Sequence, residues 1–237
     1  MMRSDRTTGA VTTGRPLDRN GNAMNGPALT LDPDGAAAAA LTATDRPLAA
    51  SPSTGVWATL LEPPDEGDTD RPVLLQWLAP DAATPPTHVH PATETFECVE
   101  GTFTVVVDGQ PHRLAPGESL TVGPGREHTF RNDTEDVVAV RAELPSMQTL
   151  RGLYTAWGLD VDSGFDDGDF GDPGPLQGLV LAADLHPETR MTMAPLSVQR
   201  ALWATVGRAA RAAGIDGIDE RYVTDAFWER RVEQPAL

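Results

Sequence analysis

Pro85-Pro86-Thr87-His88-Val89-His90-Pro91-Ala92-Thr93-Glu94 is the stretch from which the fold of this chain can be read. His88 and His90 are two residues apart, and on a β-strand residues i and i+2 point to the same face. Two imidazoles therefore project side by side into one space. Pro91 ends regular pairing and turns the chain, so Glu94 can bring a carboxylate up to both rings. His128 follows thirty-four residues after Glu94, on a later strand introduced by Gly123-Pro124-Gly125. Three neutral imidazoles and one carboxylate suit a first-row divalent ion. Imidazole favours Fe, Ni, Cu and Zn, and the carboxylate also admits Mn. His88, His90, Glu94 and His128 are thus the candidate metal ligands. Four ligands on an octahedral ion leave two positions for water, substrate or dioxygen, and an ion so bound would lower the pKa of a bound water.

Around this stretch, from Gly55 to Leu144, short apolar runs alternate with turn residues in the rhythm of an all-β sandwich or barrel. The runs predict strands at 56–62, 73–79, 87–90, 95–99, 102–107, 110–114, 119–122, 128–132 and 137–143. Asp108-Gly109, set between Val107 and Gln110, is a two-residue hairpin signal because Gly accepts a positive φ. Pro116-Gly117 is a second turn. Alternation gives Phe96 and Cys98 one face, Phe103, Val105 and Val107 another, and places Phe130 with His128. The three phenylalanines read equally well as an apolar pocket beside the ligands or as ordinary barrel core. Glu97 faces away from Phe96. Cys98 reads as a small core group, His112 as a solvent-facing strand residue, and His186 as a surface or capping group.

The flanks differ in texture. Residues 1–50 are rich in Thr, Gly, Asp and Ala, with too little large apolar surface to offset chain entropy. The expectation is a disordered segment, with at most a helical turn at 36–40. After the barrel at 51–145, residues 146–237 read as a helical extension. The acidic stretch 162–175 lacks the ligand order of an EF-hand and reads as a solvated loop. Residues 196–213 form an amphipathic pattern, with Arg200, Arg208 and Arg211 on one face and Leu202, Trp203, Val206, Ala210 and Ala213 on the other. That apolar face is expected to dock on the barrel or on a second copy. A last helix near 219–231 carries Tyr222, Phe227 and Trp228 as packing groups.

Charge narrows the partners. Asp and Glu number 35 against 18 basic residues, all of them Arg, for a formal charge of −17. Such a balance repels phosphate backbones and anionic membranes, so the expectation is a small-molecule partner and no nucleic acid. Salt-adapted proteins show the same surface, and high-GC coding also favours Arg over Lys; composition leaves both open. The single cysteine rules out an intrachain disulfide. No apolar run is long enough to span a membrane and no secretory segment is visible, so a cytoplasmic protein is expected.

The motifs carry a family resemblance. His88, His90, Glu94 and Gly101 meet every interval of the first cupin motif. Gly117, Gly125, His128 and Asn132 keep the spacing of the second. Two turn positions depart from the pattern: Ala82 stands where the first motif opens with Gly, and Gly123 where the second has Pro. The resemblance covers 75–143 and implies a mainly β fold, a double-stranded β-helix (jelly-roll) cupin barrel, with a divalent metal ion as cofactor. The chain from Pro195 onward resembles the helical extension of a widespread group of single-barrel cupins. The family spans dioxygenases, isomerases, epimerases, decarboxylases, cyclases and binding proteins, so fold does not give function. The ligand set resembles that of quercetin dioxygenase-like enzymes. This implies a metal-dependent dioxygenase acting on a small enol or phenol substrate, with Glu94 as ligand and proton acceptor. The alternative is a non-oxidative isomerase, cyclase or binding module that uses the metal as Lewis acid or structurally. Pairing through the amphipathic extension makes a homodimer the expected assembly.

Overall fold

The computed structural model describes residues 10–62, 71–165, 168, 170, 171 and 174–235. In chain order the elements are β1 (Val11–Thr13), β2 (Leu29–Leu31), α1 (Ala36–Thr42), β3 (Ala49–Ser51), β4 (Val56–Glu62), β5 (Val73–Leu78), β6 (His88–Val89) and β7 (Glu94–Glu100). There follow β8 (Phe103–Val107), β9 (Gln110–Leu114), β10 (Ser119–Val122), β11 (His128–Asn132) and β12 (Val138–Glu143). Helices α2 (Met147–Ser163), α3 (Pro175–Leu185), α4 (Leu196–Leu202), α5 (Arg208–Ala212) and α6 (Asp225–Arg231) make up the extension, with the short strand β13 (Arg190–Met191) between α3 and α4.

Two antiparallel sheets face each other. One has the order β10-β7-β12-β5-β4-β3 and the other β13-β6-β11-β8-β9. Alternation along β7 buries Glu94, Phe96 and Cys98 toward the space between the sheets, while Thr95 and Glu97 are half-buried on the other side. Phe103 and Val105 meet them from β8. The two faces read separately in the sequence therefore line one interior. Phe96, Phe103 and Phe130 lock together there, with ring centroids 5.6 to 5.7 Å apart.

The turns follow from backbone chemistry. Asp108 and Gly109 both have positive φ, +48° and +78°, as a two-residue primed hairpin turn requires. Gly101 sits at φ +86°, and a Cβ there would lie 2.9 Å from Val138 Cγ2. Only glycine fits that strand-to-strand corner without strain.

The six-stranded sheet is covered on its outer face as well. Trp57, Leu75 and Trp77 are buried, α2 packs over β3, and α1 packs over β7 and β5. This corrects the expectation for residues 1–50. Within 10–50 the chain forms β1, β2, α1 and β3 and buries Leu29, Leu31, Leu41 and Leu48. The order is tertiary: the segment has no core of its own and borrows the outer face of the sheet. It is also zipped to the end of the chain. Gly14 N donates to Glu233 O at 3.0 Å, Glu233 N donates to Arg15 O at 2.8 Å, and Arg15 pairs with the Glu233 carboxylate at 2.7 Å. Residues 1–9 lie outside the described residues.

In the extension, Tyr222, Phe227 and Trp228 are buried as the pattern predicts. The 196–213 helix is interrupted by a π turn at Trp203–Gly207, which adds a residue to the turn and breaks the 100° register. Of the apolar face read from the sequence, Ala210 is buried and Trp203 half-buried. Leu202 and Val206 are exposed, at 42% and 40%. Within one chain this face is therefore only partly docked, and Leu202 and Val206 stay open to a second copy. Part of the acidic stretch 162–175 is outside the described residues. Within it Asp162 is held by Arg231 at 3.1 Å and Arg221 at 3.3 Å. No described helix is long and apolar enough to cross a membrane.

Candidate metal centre

The four ligands expected from sequence come together. His88, His90, Glu94 and His128 are all buried, and their ligating atoms lie within 4.8 Å of one another. They reach this point from both sheets. His88 on β6 is the direct partner of His128 on β11. Glu94 opens β7 opposite Val122 of β10. His90 lies just past β6, where its carbonyl accepts from Gly125 N at 2.7 Å. The second-motif glycine turn thereby pins the first-motif strand.

The three rings have one orientation in common. His88 Nδ1 faces the Pro86 carbonyl at 2.7 Å, His90 Nδ1 the Glu188 carbonyl at 2.9 Å, and His128 Nδ1 the Arg126 carbonyl at 3.0 Å. A carbonyl only accepts, so each Nδ1 carries the proton and donates. In the neutral rings all three Nε2 lone pairs are then free for the shared space. Glu94 Oε2 sits in that space, 2.8 Å from His128 Nε2 and 3.4 Å from His90 Nε2. Acceptors at such distances need a cation among them. His90 Nε2 is sealed from solvent and makes no hydrogen bond among the described residues. This orphaned lone pair is the observation by which the cluster fits a divalent metal. Bonds of about 2.1 Å to one ion hold such atoms about 3–4 Å apart; the Glu94 pairs, at 2.8 and 3.4 Å, are close to that range, and the whole set lies within 4.8 Å.

The electrostatics agree. Burial pushes the His88 imidazole down to about 4, so it stays neutral and ready to ligate at neutral pH. Burial acts to raise Glu94, but the neighbouring His128 and His90 rings outweigh it and bring the carboxyl to about 2. Burial likewise lowers His128, and its bond to Glu94 more than restores it, raising the ring above its ordinary value. His128 and Glu94 are thus electrostatically coupled, and a cation between them serves both.

The other candidates fall outside the cluster. Cys98 is fully buried core, its thiol raised by burial. Glu97 is on the opposite face of β7, His112 is exposed on β9, and His186 is the C-cap of α3 with its ring 4.7 Å from Trp203. Phe96 is the aromatic nearest the ligands, 6.4 Å from the His128 ring. A cleft of 480 Å³ lined by Val89, Glu127, Arg190 and Thr192 lies behind the sheet. Val89 alternates away from His88 and His90, so this cleft is not the mouth of the cluster.

Two features escaped the sequence reading. Gln76 shares a row with Val140, which is opposite Cys98, so it faces the interior with Glu94. It is buried and makes no side-chain hydrogen bond among the described residues. Its signal, a lone polar residue in the run 73–78, was present. Glu188 and Thr189 reach His90 from 98 and 99 residues away, a contact with no local signal.

Facing antiparallel sheets with a three-histidine, one-carboxylate cluster among their strand ends define a jelly-roll barrel with a candidate metal site. Residues 74–142 match the cupin domain family, so this segment of the chain is a cupin domain. Comparison with curated proteins gives no match. Among solved structures, the cupin domain of an XRE-family transcriptional regulator from Enterobacter cloacae is 21% identical over 37% of this chain and 93% of its own, with a TM-score of 0.34. An RmlC-like cupin from Shewanella frigidimarina is 21% identical over 45% and 89%, TM-score 0.38. A cupin-superfamily sugar phosphate isomerase from Silicibacter pomeroyi is 23% identical over 43% and 71%, TM-score 0.35.

Proposed function

We propose that the chain is a metal-dependent cupin enzyme, a dioxygenase acting on a small organic substrate that carries an enol or phenol oxygen. The observation that supports this reading is the common orientation of the three histidines, which turns three Nε2 lone pairs and the Glu94 carboxylate onto one point. His88, His90, Glu94 and His128 would hold the ion. When bound, a redox-active divalent ion supplies Lewis acidity and electron exchange with dioxygen.

The chain's own residues do the rest. Phe96, Phe103 and Phe130 pack together as an apolar layer near the ligands, which keeps water from that side of the site. Glu94, ionised throughout the neutral range, is the proposed acceptor of the substrate's hydroxyl proton at Oε2. Gln76 offers an amide on the same interior face to a polar group of the substrate.

Oxygen uptake by the protein loaded with iron, manganese, nickel or copper, against a panel of flavonols and diketones, tests the reading. Metal-dependent uptake with at least one of them is the expected result. Tight zinc binding without uptake would overturn it in favour of a non-oxidative isomerase, cyclase or binding module.

A further inference from the structure

His90 is held by more than the Glu188 carbonyl. Thr189 Oγ1 lies 3.1 Å from His90 Nδ1, Thr149 Oγ1 lies 3.0 Å from Thr189 Oγ1, and Ser146 Oγ lies 3.2 Å from Thr149 Oγ1. His90, Thr149 and Thr189 are all buried. The direction of the bonds can be assigned. His90 Nδ1 must donate, because Glu188 O only accepts, so the Thr189 hydroxyl oxygen is its second acceptor. The Thr189 proton then points to Thr149, whose hydroxyl shares a hydrogen bond with that of Ser146. Ser146 is the N-cap of α2, and its Oγ also accepts from Thr149 N at 3.2 Å. Three hydroxyls thus connect the His90 ring to the start of a helix. The segment that supplies Thr189 continues into β13, whose Met191 pairs with His88 and Arg190 with Val89.

We propose that Thr189 is a positioning residue of the metal centre, through which the C-terminal extension fixes the ring of His90 and turns its Nε2 to the ion. The inference rests on the metal reading above. A ligand imidazole free to rotate about its Cβ–Cγ bond binds less well, and partners on the far ring nitrogen typically control about 10- to 100-fold in metal affinity. Valine in place of Thr189 preserves shape and leaves the Glu188 carbonyl, so it removes one acceptor and the relay but not the packing.

Calorimetric titration of the full chain with Co(II), read together with the visible d–d spectrum of the bound ion, tests this. Thr189→Val is expected to weaken Co(II) binding about 10- to 100-fold and to alter the d–d bands. Its metal-free melting temperature should stay close to wild type, and Thr189→Ser should restore both the affinity and the spectrum. Wild-type affinity and spectrum in a folded Thr189→Val protein would overturn the proposal. So would a serine variant as weak as the valine one, which would assign the effect to packing. Should Thr189→Val fail to fold, Thr149→Val breaks the relay one residue further out, and unchanged Co(II) affinity there overturns the proposal equally. Failure of the wild type to bind Co(II) or any other divalent ion would overturn the metal reading itself, and this inference with it.

Discussion

His90 Nδ1 lies 2.9 Å from the carbonyl oxygen of Glu188, 98 residues further along the chain. One bond thereby ties a ligand of the barrel to the extension that follows it. Barrel and extension share a site, and the segment 10–50 is clasped to the end of the same extension through Arg15 and Glu233. The predictions below follow from this shared construction.

Metal should stabilise the fold. An ion at about 100 times its Kd adds about 2.7 kcal/mol, or about 5–10 °C in the unfolding midpoint of a chain of this size. Circular dichroism melts with and without divalent metal should show that rise, reversed by EDTA and absent in His128→Ala. A metal-independent midpoint would contradict a specific site.

Gln76→Leu should stabilise the protein. The amide is 5% exposed and has no hydrogen-bond partner among the described residues. A leucine of similar size exchanges a nearly buried amide for an apolar side chain, worth about 1 kcal/mol. Urea unfolding should show a higher midpoint at unchanged slope; a lower one would show that the amide is well satisfied in the native state.

The Arg15–Glu233 clasp should be acid-labile. The hydrogen bond from Arg15 holds the Glu233 carboxyl below its ordinary value. A depressed carboxylate contributes stability that is fully present above its unfolded pKa and is lost as pH falls through its folded one. The stability gap between wild type and Glu233→Gln should therefore be largest at neutral pH and close as pH drops below about 4. Paired melts from pH 7 to pH 3 check it. A gap that widens in acid would have the wrong sign.

Phe96→Ala should cost about 3–5 kcal/mol, because Phe96 is fully buried against Phe103 and Phe130. Phe130→Ala should cost less, since Phe130 is only half-buried. Denaturant unfolding of the two variants gives the order directly.

What could be read in advance follows the range of the forces involved. Strands with local alternation, such as 103–107 and 128–132, are set by their own pattern and appear where the pattern puts them. The ligand set was legible because His88, His90 and Glu94 are close in sequence and the second motif marks His128. The order of residues 10–50 was not, because Leu29, Leu31 and Leu48 are buried against a sheet formed later in the chain. The face of 196–213 that packs within the chain was not, because a π turn at Trp203–Gly207 breaks the periodicity on which the reading depends. Thr189 was invisible for the same reason as the N-terminal order: its partner His90 is 99 residues away.

The central claim is that His88, His90, Glu94 and His128 hold one divalent ion. Its most direct test is the metal content of the purified protein, before and after reconstitution, beside His88→Ala and His128→Ala. The account predicts about one equivalent of metal in the wild type, lost in both variants while the fold is kept. A wild type that takes up no stoichiometric metal even after reconstitution, or variants that retain it, would contradict the account.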